Sequence, residues 1–168
     1  SRGLGDVYKR QIKNIDEIID NGIPIKEYEI VDTLIHDLET DLILVGQSKG
    51  KFGGGKRRAF KQTQKKTSEG SKIKFTAIAV VGNRNGYVGL GTGSSNETVP
   101  AKTKALRNAK LNLIRIKRGC GSWECACGTP HSIPFKVEGK MGSVNVEIQP
   151  APKGLDLATS NEIKKILQ

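Results

Sequence analysis

Aromatic side chains are scarce in this chain of 168 residues: four Phe, three Tyr and one Trp amount to 5% of it. With an apolar fraction of only 36%, any packed core must lean on Val, Ile, Leu and Ala. Long hydrophobic runs are missing too. The longest, Ala77 to Gly82, falls far short of the roughly 18 residues that span a bilayer as a helix. That absence excludes a membrane-spanning helix, and the chain is expected to be soluble. Three cysteines, an odd number and with no apolar leader ahead of them, argue against a secreted disulfide framework. A length of 168 residues holds one good core or two small ones, which disfavours a single large catalytic fold.

What is present is charge, unevenly spread. Ile12 to Ser48 carries nine acids against Lys13 and Lys26, whereas Lys49 to Gln168 carries 23 bases against seven acids. A surplus of that size in the second part points to a polyanion as partner. Anionic lipid would call for an amphipathic helix with large apolar anchors, and the basic stretch has one aromatic, Phe52. Nucleic acid fits better, so neither a membrane nor a small-molecule substrate is expected.

Composition shifts divide the chain. Residues 1–11, SRGLGDVYKRQ, lack periodicity and read like a translated sequencing adapter, so they are expected to be a non-native leader. Residues 12–48 form an acidic extension in which Ile15, Ile18 and Ile19, then Ile30, Leu34, Ile35 and Leu38, recur at three- and four-residue spacings around Asn21-Gly22. Two short helices follow from that pattern. Residues 49–118 open with the Gly-rich KGKFGGGK. RRAFKQTQKKT, KIKFTAIAVVG and YVGLGTG then read as strands, the last two joined through NRNG. VPAKTKALRNAKLNLIRIKRG reads as a helix with Pro100 at its start and an apolar stripe of Ala101, Ala105, Ala109, Leu113 and Ile116. Its other side carries Lys104, Arg107, Lys110, Arg115 and Arg118. The sum is an α-β-β-β-α unit. Residues 119–168 read as a second, incomplete α+β domain, with strands around Ile133–Val137 and Val144–Ile148, a turn at Gly139–Gly142, and a helix begun by SNEIKKILQ. That last segment stops without a cap, and the chain is expected to be truncated there.

Two glycine-rich stretches imitate nucleotide sites and fail on inspection. In GYVGLGTGSS, Gly89 and Gly91 are followed by Ser94 where a dinucleotide fingerprint needs its third glycine, and no acid stands about twenty residues on. Gly50, Gly55 and Lys56 copy a P-loop, but Arg57 replaces the Ser or Thr that would hold magnesium. Glycines inside a strand more often mark close approach of another backbone.

The bases themselves are more informative. Lys49, Lys51, Lys56, Arg57, Arg58, Lys61, Lys65 and Lys66 fall within eighteen residues that contain no acid. Bases at this density repel one another unless phosphates neutralise them, and each phosphate contact releases counterions. The helix near Pro100 adds free N–H groups, with Lys102 and Lys104 beside them, where a phosphate can dock.

FTAIAVVGNRNGYVGLGTG, VPAKTKALRNAKLNLI and GCGSWECACGTPHSIPFKVEGKMGSVNVEIQPAPKGL together resemble the S-five family of small-ribosomal-subunit proteins in its archaeal form, from about Ile23 to the end. The resemblance implies a double-stranded-RNA-binding-like first domain and a second α+β domain containing a βαβ unit. It also implies binding to small-subunit ribosomal RNA near the messenger entry site, neighbouring ribosomal proteins as partners, a cytoplasmic ribosomal location, and roles in decoding accuracy and subunit assembly. The family's RNA-facing loop corresponds to Ser68–Lys74. Ser71 follows Gly70 where the family carries a base, which leaves Lys72 and Lys74 as the nearest substitutes. Arg84, in the next turn, joins the candidate RNA contacts. The acidic helices are expected to face basic neighbouring proteins, and KGKFGGGKRR to be a lineage-specific extension that threads into RNA.

Cys120, Cys125, Cys127 and His131 stand at C-x4-C-x-C-x3-H, amid Gly119, Gly121 and Gly128. Three thiolates and an imidazole are the ligand set of a structural zinc site. The spacing is unlike paired C-x-x-C knuckles, and three reduced thiols with an ordinary surface histidine remain the alternative. A zinc deaminase is excluded, because no His-x-Glu precedes the cluster and Cys125 and Cys127 are one residue too close. Trp123 either stacks on a base or packs against this loop. His36, on an acidic helical segment, reads as solvated. No base, nucleophile and orienting acid come together, so the chain is expected to be no enzyme and to require no cofactor, structural zinc aside. A free-standing double-stranded-RNA-binding regulator is the competing reading.

Overall fold

The computed structural model describes residues 14–46 and 57–168. They fall into two compact units: one reaches to Arg115 and takes in Asn161–Gln168 as well, and the other is Ile116–Ser160. The class is α+β throughout, and no described helix is long and apolar enough to cross a membrane.

In the first unit, helices α1 (Ile15–Asp20) and α2 (Tyr28–Leu34) precede strands β1 (Glu39–Ile43), β2 (Phe60–Thr67), β3 (Gly70–Gly82) and β4 (Tyr87–Ser95). Helix α3 (Thr98–Leu111) and the short β5 (Leu113–Arg115) complete the sequence. The two N-terminal helices are where the isoleucine spacing puts them, and they bury Ile15, Ile18, Ile30 and Val31. The spacing misleads beyond Leu34. Ile35 already has extended backbone, and Leu38 leads into β1 rather than into a further helical turn. Both residues still pack into the core, so the apolar signal was real and the period was not.

The sheet is antiparallel in every pair. The long β3 organises it. β4 runs along Phe75–Gly82 on one edge, while β2 and β1 follow one another along the other, β2 on Gly70–Ala77 and β1 on Ile78–Gly82.

Helix α3 lies on the face that presents Ala77, Ala79 and Val81, and these pack with Ala105 and Ala109 as a fully buried cluster. Here the alternate glycines of GYVGLGTGSS find their reason. A Cβ on Gly91 would come within 2.1 Å of the Ala109 nitrogen and 2.4 Å of the Ala105 oxygen, and one on Gly93 within 2.4 Å of the Ala101 oxygen. With glycines at the helix-facing positions 89, 91 and 93 of β4 and only methyl groups opposite them on α3, the helix backbone rests directly on the strand. Asn108 and Asn112 donate their side-chain amides to the Thr92 and Leu90 carbonyls, at 2.7 and 3.4 Å. This satisfies an edge that β5 leaves open beyond Gly89.

Helix α3 is shorter than its stripe suggests. It stops at Leu111 with Asn112 as cap, and Leu113 is buried from a strand instead. The β-branched Ile114 and Ile116 suit extended chain better than a last helical turn. Pro100 is the third helical residue rather than the first.

Helix α4 (Asn161–Leu167) belongs to this unit by contact. Its Glu162 carboxylate accepts from the Leu44 N–H at 2.7 Å, and Lys165 donates to the Leu42 carbonyl at 3.0 Å, so α4 covers the outer edge around β1. Lys165 also pairs with Asp41 at 2.8 Å and holds that carboxyl below its ordinary range.

The second unit carries an antiparallel hairpin of β6 (Val137–Met141) and β7 (Val144–Ile148). The turn is Gly142-Ser143, two residues later than the glycines suggested, and the first strand starts at Val137 rather than Ile133. Ahead of it, Ser132 bridges back to Gly119.

Candidate nucleic-acid interface

β4 reaches only to Phe75 on β3, so Gly70–Lys74 and Thr63–Thr67 pair with nothing but each other. They form a two-stranded ribbon that projects past the rest of the sheet. Its end is a two-residue turn, Ser68-Glu69, in which Gly70 has φ +120 and the Thr67 hydroxyl donates to the Gly70 carbonyl at 2.7 Å. Of the stretch Ser68–Lys74 that the family resemblance gives as a loop, only Ser68 and Glu69 form a turn, while Lys72 and Lys74 lie in strand, as KIKFTAIAVVG reads, and are fixed by pairing rather than carried on a flexible tip.

The register sets the charges. Lys65 stands directly across from Lys72, and Thr63 from Lys74. Strand alternation then puts Lys61, Lys65, Lys72 and Lys74 on one face, with Lys66 on the other. Like charges directly opposite destabilise a ladder. Glu69, 3.2 Å from Lys72 and highly exposed, is the one acid in the ribbon, and an exposed pair of this kind contributes under about 1 kcal/mol. A bound phosphate would relieve the repulsion of every other base there.

The start of α3 lies at the same end of the sheet, because Ala101 and Ala105 sit against Gly93, which pairs with Ala77. Lys102 and Lys104 are exposed on it, and Glu97 at the N-cap makes no side-chain hydrogen bond to the first turn. Arg57 and Arg58 are exposed too, with Arg58 joined to Gly46 by two backbone hydrogen bonds. Lys49, Lys51 and Lys56 lie outside the described residues.

Pairing separates these bases from Arg84, Lys110, Arg115 and Lys165. Among the described residues no acid partners Arg57, Arg58, Lys61, Lys65, Lys66, Lys74, Lys102 or Lys104. At the opposite end of the sheet the bases are engaged. Arg84, at φ +53 in the turn after β3, holds Glu39 with Nη2 at 2.6 Å and Nε at 2.8 Å. It lies ten residues of strand from Lys72, roughly 33 Å along an extended chain, so the structure does not bring these two candidates together. Lys110 pairs with Asp32 at 2.5 Å, and Arg107 stacks 5.0 Å above the Tyr28 ring. Arg115 reaches Asp16 at 3.2 Å and Asp20 at 3.5 Å.

Much of the acidity of residues 12–48 is thus answered within the chain. Tyr87 donates its hydroxyl to Asp16, and burial followed by that bond pushes the phenol up to about 12. No sequence signal marked these partners, since they lie up to 95 residues apart.

The cysteine cluster belongs to the other unit. Gly119 and Ser132 exchange backbone hydrogen bonds of 2.8 and 2.9 Å, and Gly121 donates to the Ile133 carbonyl at 3.2 Å. This closes the loop and sets Cys120 beside His131. Cys120 Sγ lies 3.6 Å from Cys127 Sγ, Cys125 Sγ 3.0 Å from Cys127 Sγ, and Cys125 Sγ 3.3 Å from His131 Nε2. Hydrogen bonding to Cys127 pushes the Cys120 thiol up to about 11, while hydrogen bonds from Thr129 and then Cys125 bring Cys127 down to about 6. Trp123 is 92% exposed and does not pack on the loop.

An α+β fold that sets a row of unpaired bases on one projecting ribbon and one adjoining helix start has the surface of a nucleic-acid-binding protein. Comparison with known proteins narrows this class. The family profile for ribosomal protein S5, N-terminal domain, matches residues 58–117, from the ribbon to just beyond β5. Small ribosomal subunit protein uS5 of Nanoarchaeum equitans is 49% identical over 166 residues, covering 98% of this chain and 71% of that protein. Its counterparts in Methanocaldococcus jannaschii and Picrophilus torridus are 49% and 47% identical and are covered to 67% and 65% of their lengths. The chain belongs to the uS5 family of small ribosomal subunit proteins, a family of structural constituents rather than enzymes.

Proposed function

We propose that this chain is a structural constituent of the small ribosomal subunit that grips ribosomal RNA through the lysine ribbon and the start of α3. The observation that carries the reading is the sorting of charge: among the described residues, and apart from Lys72, the bases of the ribbon and of the start of α3 have no acid partner, whereas Arg84, Lys110 and Arg115 at the other end of the sheet are paired. Lys61, Lys65, Lys72 and Lys74 hold successive phosphates, Lys66 reaches from the other ribbon face, and Gly70 allows close approach at the tip. Arg57, Arg58, Lys102 and Lys104 extend the contact, as do Lys49, Lys51 and Lys56 of the Gly-rich stretch. Arg84 contributes through its exposed side while it holds Glu39.

In this reading residues 49–118 work as a double-stranded-RNA-binding-like domain that recognises duplex shape rather than sequence. Residues 12–48 brace it, and residues 119–160 belong to a second α+β domain of βαβ type, with helix α4 packed on the first unit instead. Other ribosomal proteins are its neighbours. Messenger RNA passes close by at the entry site, where the chain supports decoding accuracy and subunit assembly in the cytoplasm.

The test is reconstitution. Small subunits of an archaeon lacking their own copy are mixed with the chain and pelleted through a high-salt wash. Retention at about one copy per subunit is expected. Release by the wash, with equal binding to arbitrary RNA duplexes, would support a free-standing regulator instead.

A further inference from the structure

We propose that Cys120, Cys125, Cys127 and His131 form a closed zinc site, and that the metal orders the unit Ile116–Ser160 of this chain. The inference is independent of RNA binding and rests on two separate observations.

The first is geometry. One ligand atom from each of the four residues lies within 4.8 Å of every other. In a tetrahedron built with Zn–S of about 2.3 Å and Zn–N of about 2.0 Å, the edges are roughly 3.5 to 3.8 Å. Three of the six ligand–ligand contacts, at 3.6, 3.3 and 3.0 Å, are already at or inside those edges, and the other three lie within 4.8 Å. The loop is shaped to bring the ligands together: a Cβ on Gly121 would fall 2.2 Å from the Pro134 oxygen, and one on Gly119 would fall 2.9 Å from the Pro134 Cβ. Only glycine lets the two arms of the loop close this tightly. Four protein ligands leave no open position, which marks a structural site rather than a catalytic one. Soft thiolates with one imidazole select zinc over calcium or magnesium. Binding displaces the remaining thiol protons and leaves Zn²⁺ with three thiolates and a neutral ring at a net charge of −1, beside Lys117 and Arg118.

The second observation is what the unit lacks. Among the described residues, every buried hydrophobic one lies between Ile15 and Leu113, and none from Ile116 to Ser160 is buried. The apolar side of the hairpin is open, with Met141 83% and Val144 61% exposed, and Phe135 ahead of it is 66% exposed. In this chain, which spans about two thirds of its relatives' length, these 45 residues hold no core of their own, and a metal can supply the order that burial does not. With three cysteines, one thiol would be left over from any disulfide, whereas the zinc set uses all three and the histidine.

The experiment uses the full chain, reduced and stripped with a chelator, then titrated with Co²⁺ and with Zn²⁺. One equivalent of Co²⁺ should give the intense visible bands of a tetrahedral thiolate site, and one equivalent of Zn²⁺ should bleach them. C127S and H131Q should each lower cobalt affinity by more than the roughly 10- to 100-fold typical of outer-shell changes, while W123A in the same loop should leave it unchanged. Limited proteolysis of the wild-type chain with and without Zn²⁺ reads the second half of the claim, and protection of at least tenfold confined to 116–160 is expected. Failure to bind one equivalent, octahedral cobalt spectra, or unchanged affinity in C127S and H131Q would overturn the site. Metal binding without added protease resistance would overturn its ordering role.

Discussion

In the first unit Ala77, Ala79, Val81, Ala105 and Ala109 are wholly shielded from solvent, whereas between Ile116 and Ser160 no side chain is buried at all. Both regions are glycine-rich, yet their glycines serve different ends. Gly91 and Gly93 let a helix backbone rest on a strand, so the first unit is held by close packing of small groups over a wide contact. Gly119 and Gly121 let two loop arms meet, and what they bring together is a ligand set. The two units should therefore fail under different insults: steric crowding breaks one, and loss of metal or oxidation of thiols breaks the other.

The sharpest break follows from Gly91→Val. Its Cβ would strike the Ala109 nitrogen and the Ala105 oxygen, both backbone, so no side chain can rotate away. A loss of about 3 kcal/mol or more is expected in urea unfolding followed by far-UV circular dichroism. A109G should fail to rescue it, because the obstacle is not the alanine methyl. Stoichiometric cobalt binding by the cysteine loop should survive in the same variant.

Next in size is Val31→Ala. Val31 is fully buried in α2 beside Ile15, Ile35 and Leu113. Truncation should cost about 2 kcal/mol if residues 14–38 are part of the first unit's core, and close to nothing if they are an independent extension. Thermal unfolding distinguishes these outcomes.

The ribbon responds in binding rather than in folding. K65Q combined with K72Q should reduce the slope of log affinity against log salt by about 2 on a ribosomal RNA fragment. Stability should hold or rise slightly, because a like-charged cross-strand pair disappears. K110Q, at a base already paired with Asp32, should leave the salt slope unchanged. An equal effect from both variants would contradict the sorting of charge.

The smallest effect is a titration. Tyr87 is held protonated up to about 12, by burial first and Asp16 second. A phenol whose folded value is raised contributes stability that is fully present below the unfolded value of about 10 and is lost as pH rises from there towards 12. Absorbance at alkaline pH should show one late-ionising tyrosine, and D16N should bring it down.

Why some of this was legible and some was not is visible in single residues. The Ala101–Ala105–Ala109 stripe and the alternating glycines of β4 announce a helix on a strand, because both periods are local and both residue types are chosen for size. β1 was hidden because Leu34, Ile35 and Leu38 keep helical spacing while the backbone has already turned extended. The end of α3 was hidden because Leu113 continues the apolar stripe from a strand. Lys72 and Lys74 were recognised as bases, but their rigid placement comes from register with β2, which no local signal carries. The pairing of Asp32 with Lys110 and of Asp20 with Arg115 is set wholly by tertiary packing, across 78 and 95 residues. The cysteine loop is the reverse case: its candidate ligand set was readable from four residue types, while the Gly119–Ser132 bridge that gathers them was not.

Hydrogen exchange of the full chain, read by mass spectrometry with zinc bound and again after chelation, tests the contrast between the two units most directly. The account predicts that chelation abolishes protection within 116–160 and leaves the amides of β3 and α3 exchanging as slowly as before. Equal loss in both regions, or no loss in either, would contradict it.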